Sequence, residues 1–138
     1  MTYFEPDFFK PFNFSQKQIN DYFKNAVRNL EIARQDPFAE VRFTFAYQAL
    51  IKAGIAMIAK TGGVRVRSIP GHHVKIFEKM SEILNDKDIA SIGDVMRRKR
   101  NADLYSSAES ITEKEANDYL KFVETVFKKI ESEFRSRK

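Results

Sequence analysis

The sequence predicts an all-α protein, an up-and-down bundle of four to five helices. Apolar residues recur at helical spacing along most of the chain. Capping boxes at Ser15 and Thr112 each open such a run. No period-two alternation marks a strand, and the connections between runs are short, which favours antiparallel neighbours. At 138 residues the chain makes one domain with room for a real core.

Residues 1–14 form an aromatic N-terminal arm. Tyr3, Phe4, Phe8, Phe9, Phe12 and Phe14 crowd a segment that Pro6 and Pro11 keep from being a continuous helix. Aromatics at this density need cover, so the arm is expected to pack on the body or on a second subunit. Residues 15–135 are the single helical-bundle domain, and 136–138 a charged tail.

The first helix opens at Ser15-Gln16-Lys17-Gln18 and carries Ile19, Tyr22, Phe23, Ala26, Leu30 and Ala33 on one face. It ends near Gln35, because Asp36-Pro37 suits the N-cap and first position of a second helix. That second helix runs to Lys60 and is apolar over most of its circumference from Phe45 to Ile58. It reads as the central helix, closed by Gly62-Gly63. Val64 to Gly71 is a connection carrying Arg65 and Arg67, with Pro70-Gly71 as punctuation. The third helix, His72 to Leu84, places Val74, Phe77, Met80, Ile83 and Leu84 on one side, and Asn85-Asp86 breaks it. The fourth runs from Lys87 to Leu104, and Ser106 to Ser110 is a polar loop. Thr112-Glu113-Lys114-Glu115 opens the last helix, with Ala116, Tyr119, Leu120, Val123, Val126, Phe127, Ile130 and Phe134 at helical spacing.

Composition narrows the function classes. Apolar residues at 43% fit a folded globular protein. The absence of cysteine excludes disulfides, thiolate zinc sites and cysteine nucleophiles. No apolar run is long enough for a membrane span, and no secretory leader pattern opens the chain, so a cytoplasmic location is expected. No Gly-x-Ser-x-Gly or phosphate-cradling glycine loop appears. His72 and His73, as i, i+1 neighbours on a helix, face different ways, so no metal site and no cofactor is expected. The net charge of +5 permits nucleic-acid binding without diagnosing it.

Met96 to Tyr105 carries the candidate chemistry. Ile89, Ile92, Val95 and Met96 make an apolar stripe at about 100° per residue. Continued winding puts Lys99, Arg100 and Asp103 within roughly 70° of the stripe's centre. The inward side of this helix therefore turns charged, while Arg97, Arg98 and Asn101 face further away. A buried charge needs a partner, so the stretch is either a solvated face or a polar site in a cleft. Arg97, Arg98, Lys99, Arg100 and Asp103 are the candidate nucleic-acid or nucleotide contacts, with the cations on phosphates. Arg100 also suits the stabilisation of charge on a phosphate during RNA self-cleavage, where the 2′-hydroxyl is the nucleophile. The proton carrier is thinly served, since neither Tyr105 nor Asp103 titrates near neutrality when unperturbed.

Three segments in order resemble the HEPN family, the small helical domains of prokaryotic toxin–antitoxin and defence systems. They are Phe45-Ala46-Tyr47-Gln48-Ala49-Leu50-Ile51-Lys52-Ala53, then Gly71-His72-His73-Val74-Lys75-Ile76-Phe77, then Arg97-Arg98-Lys99-Arg100-Asn101-Ala102-Asp103-Leu104-Tyr105. The resemblance covers about residues 38 to 130. It implies a four- or five-helix bundle, a homodimer, and a cleft where two copies meet. Active members are metal-independent ribonucleases with an Arg, often an Asn, and a His a few residues on. Arg100 and Asn101 match the first two, and Tyr105 stands where the histidine would be. The resemblance therefore implies catalytic roles for Arg100, Asn101 and Tyr105 only in a degenerate ribonuclease. The alternative it implies is a non-catalytic binding module that partners a small nucleotidyltransferase.

Overall fold

The computed structural model describes residues 2–105 and 111–136, without the side chains of 103–105 and 135–136. The element order is β1 (Phe9–Pro11), α1 (Gln16–Gln35), α2 (Ala39–Gly62), β2 (Val64–Val66), α3 (His72–Leu84), α4 (Lys87–Tyr105) and α5 (Glu113–Ser136). The protein is an all-α helical bundle with one small accessory sheet. β1 and β2 pair antiparallel, Phe9 opposite Val66 and Pro11 opposite Val64. Strands of three residues are too short to show a readable period, which is why sequence periodicity misses them.

Helix α2 is the axis of the bundle. α1, α3 and α5 all pack on it, and α4 reaches the body mainly through α3. Tyr47, Leu50, Met57 and Ile58 on α2 are fully buried together with Phe77, Met80, Ile89, Met96 and Val123 from its neighbours. At Gly54, an added Cβ would lie 2.4 Å from Ile76 Cγ2 and 2.7 Å from Met80 Sδ, so α3 packs against bare backbone there. By length and a mean hydropathy of 1.2, α2 is apolar enough to cross a membrane, yet 61% of that stretch is buried inside the bundle.

The arm packs on its own chain. Phe9 enters the core, Phe4 meets it edge-on at 5.3 Å between centroids, and Phe8 packs against the core's edge. Glu5 locks the arm to α3 through Lys75 at 2.6 Å and Lys79 at 2.5 Å.

Most helix ends follow their caps. Ser15 and Gln18 form the reciprocal box that opens α1, and Thr112 and Glu115 form the one that opens α5. The start of α2 differs from expectation. Asp36 does not cap it: its carboxylate accepts from the Phe38 N–H at 2.9 Å, making a turn that delays the helix to Ala39. Arg42 Nη1 donates to the Asp36 and Pro37 carbonyls and stabilises that turn, while Arg42 Nη2 binds Glu113 at the start of α5. On α3 the buried face is Ile76, Phe77 and Met80, whereas Val74 is 40% exposed. It sits in the first turn, where α3 lines a surface cavity instead of the core.

Candidate functional site

The cavity lies where the first turn of α3 meets the C-terminal half of α4. It measures about 250 Å³ and is lined by Gly71, His72, His73, Arg97, Arg100 and Asn101, with Val74 at its edge. Gly71 makes this junction possible. It is the N-cap of α3 at φ 86, a left-handed conformation that side chains disfavour, and the Phe8 ring lies 3.8 Å from where its Cβ would be.

Each histidine is oriented by a neighbour. His72 Nδ1 lies 2.8 Å from the Ile69 carbonyl oxygen. A carbonyl only accepts, so Nδ1 carries the proton in the neutral ring. His73 Nδ1 lies 2.8 Å from the Tyr47 hydroxyl, which α2 presents from the core. The two rings meet edge-on with centroids 4.3 Å apart. Burial first, then the neighbouring His72, Arg100 and Arg97, pull the His73 imidazolium down to a pKa of about 4, so the ring is neutral at pH 7. Burial pushes the Tyr47 phenol up to about 12, so it stays protonated and able to donate.

The arginines complete the wall. The Arg100 guanidinium carbon sits 5.5 Å from the centroid of the Tyr47 ring, a cation–π contact that fixes its position. No carboxylate pairs with Arg100 among the described residues. Arg97 is held by Asp94, with Nη2 at 2.8 Å and Nε at 2.9 Å.

The seven sequence candidates therefore separate. Arg97, Arg100 and Asn101 come together in the cavity, although helical winding sets Arg97 and Asn101 further from the buried stripe than Arg100. Residues 97, 100 and 101 span little more than one turn, and long side chains bend around the rim of a helix face. Arg98 points outward, 65% exposed, and reaches Asp94 at 3.2 Å. Lys99 is used to tie α4 to α5 through Glu115 at 2.5 Å, which holds that carboxyl below its usual range. The side chains of Asp103 and Tyr105 lie outside the described residues, so their assignment to the site has no geometry here.

His72 and His73 are the functional candidates that sequence reasoning missed. As adjacent helix positions they looked unable to share a ligand, and their spacing from Arg100 carries no motif. In the fold both line the cavity from the first turn of α3, and Arg97 and Arg100 are brought to them by the packing of α4. Among the described residues no cluster of His, Asp and Glu could hold a metal ion. No family model, curated protein or solved structure matches this chain.

Proposed function

We propose that this protein is a HEPN-like homodimer that binds RNA or a nucleotide by its phosphate at the α3–α4 cavity. It would serve a cytoplasmic toxin–antitoxin or defence system. The observation that carries this reading is Arg100: a guanidinium fixed over Tyr47, facing a cavity, with no carboxylate partner among the described residues. Arg97 and Asn101 add side-chain donors of the kind a phosphate takes.

The geometry also favours a reading with metal-independent RNA cleavage. The histidine that the sequence motif lacks at Tyr105 has two substitutes in space, His72 and His73, beside Arg100. A neutral imidazole can take the proton of a 2′-hydroxyl, and Arg100 can hold the charge that builds on the phosphate. In the dimer, α4 of the second copy would cover the half-buried Ile92 and Val95 of this α4.

Labelled RNA in buffer containing a metal chelator tests this. Binding lost in Arg100→Ala supports the cavity. Cleavage lost in the same variant assigns the ribonuclease, and binding without cleavage assigns the non-catalytic module that partners another protein such as a small nucleotidyltransferase. Binding unchanged in Arg100→Ala overturns the reading. Light scattering that gives a monomer at micromolar concentration overturns the dimer.

A further inference from the structure

The Ile69 carbonyl does more than orient a ring. By accepting from Nδ1–H across 2.8 Å, it keeps that proton on Nδ1, so that in the neutral His72 ring Nε2 has a lone pair and no proton. Every other polar side chain on the cavity wall can donate: the guanidinium groups of Arg97 and Arg100, the Asn101 amide, and His73 in its Nε2–H form. In that form His73 Nδ1 accepts from the Tyr47 hydroxyl 2.8 Å away. Among the described residues the wall is thus rich in donors, with the His72 Nε2 lone pair and the Asn101 amide oxygen as its acceptors. A phosphate alone satisfies the donors and sets its oxygens against the His72 lone pair. A phosphate with a hydroxyl beside it satisfies both.

We propose that His72 reads a ribose hydroxyl, so that the cavity selects ribonucleotide phosphates over their deoxyribose counterparts. The ligand class is a phosphate flanked by a 2′- or 3′-hydroxyl, as in RNA or a mononucleotide. The hydroxyl donates to His72 Nε2 while the phosphate oxygens accept from Arg100, Arg97 and Asn101. This rests on the phosphate-binding reading of the cavity and adds the group that distinguishes RNA from DNA.

The test compares fluorescent RNA and DNA oligomers of one sequence at pH 7.5, by anisotropy with the full chain. One neutral hydrogen bond predicts that RNA binds about five- to tenfold tighter than DNA. His72→Phe removes the acceptor and is expected to bring the ratio of RNA to DNA affinity close to one. His72→Gln, whose amide oxygen can accept, is expected to restore part of the preference. Circular dichroism confirms that each variant is folded. Adenosine 3′-monophosphate, whose phosphate is flanked by the 2′-hydroxyl, is expected to compete better than its 2′-deoxy counterpart, and equal competition by the two overturns the hydroxyl reading. Equal binding of RNA and DNA by the wild type, or a preference that survives in His72→Phe, overturns the His72 assignment while leaving the phosphate site standing. Failure of RNA, DNA and mononucleotide to bind at all overturns the cavity reading itself.

Discussion

Helix α3 contributes to two basic clusters, and they are built differently. Toward its middle, Lys75 and Lys79 are enclosed by carboxylates. Glu5 of the arm reaches both, Glu78 lies 3.2 Å from Lys75, and Glu82 lies 3.5 Å from Lys79. Lys79 is only 3% exposed, so its charge is affordable only with those partners. At the N-terminal end of α3, two histidines face Arg97 and Arg100, and among the described residues a single carboxylate, Asp94, serves Arg97 and Arg98. The first cluster is closed and holds the arm down. The second retains an excess of donors over acceptors around a cavity. A count of Lys and Arg along the sequence cannot separate the two cases, because the neutralising groups come from elsewhere in the chain.

The contrast is broken most strongly at Arg100. Arg100→Ala is expected to weaken binding of labelled RNA or nucleotide by about ten- to hundredfold, the worth of a charge-assisted hydrogen bond. Thermal stability should change by less than about 1 kcal/mol, since the residue sits at a rim. Equal loss from Lys75→Ala would erase the distinction between the clusters.

Glu5 tests the closed cluster. Its bonds to Lys75 and then Lys79 lower its carboxyl pKa from 4.5 to about 2. A depressed carboxyl stabilises the fold above its unfolded value and loses that contribution as pH falls through the folded value. Thermal midpoints measured across pH 5 to 2 should therefore fall less steeply in Glu5→Gln than in the wild type, taking the window from that shift. At pH 7 the variant should be less stable by ~1–2 kcal/mol, the carboxylate being partly screened by solvent. Its ligand affinity should stay within about twofold, because Glu5 does not line the cavity.

Asp94 offers a smaller change in the opposite direction. Asp94→Asn removes the carboxylate shared by Arg97 and Arg98, so anion binding should tighten by about two- to threefold at low salt, with the gain fading as salt is added. Arg98→Ala should do least. Its side chain is exposed and directed away from the cavity, and a loss of more than about threefold in RNA affinity would show that the binding surface extends over the outer face of α4.

Much of the fold was legible in the chain because its helices announce their ends. Ser15, Thr112 and Asn85 set termini by local hydrogen bonds or a left-handed backbone, and these depend on adjacent residues alone. Asp36 misleads for the same local reason: its carboxylate satisfies Phe38 two residues on, and a distant residue, Arg42, fixes the resulting turn. The basic run on α4 was visible as a run, and Arg100 as its inward member. Its partners were not visible. Tyr47 sits on the apolar central helix, where it reads as core, and it is core, at 1% exposure. Only the packing of α2 against α3 and α4 reveals that its hydroxyl and ring each serve the cavity. The histidines were set aside for lacking metal-site spacing, although their use requires no metal.

The two histidines are the chain's complete set, and both line the cavity. Nitrogen-15 NMR of the imidazole rings therefore reads the site with two rings and no background. The free protein should show His72 protonated at Nδ1, and saturation with a ribonucleotide monophosphate should shift both ring signals, with no shift in Arg100→Ala. A ligand that binds while leaving both rings unmoved, or that moves them equally without Arg100, would contradict a phosphate site at this cavity.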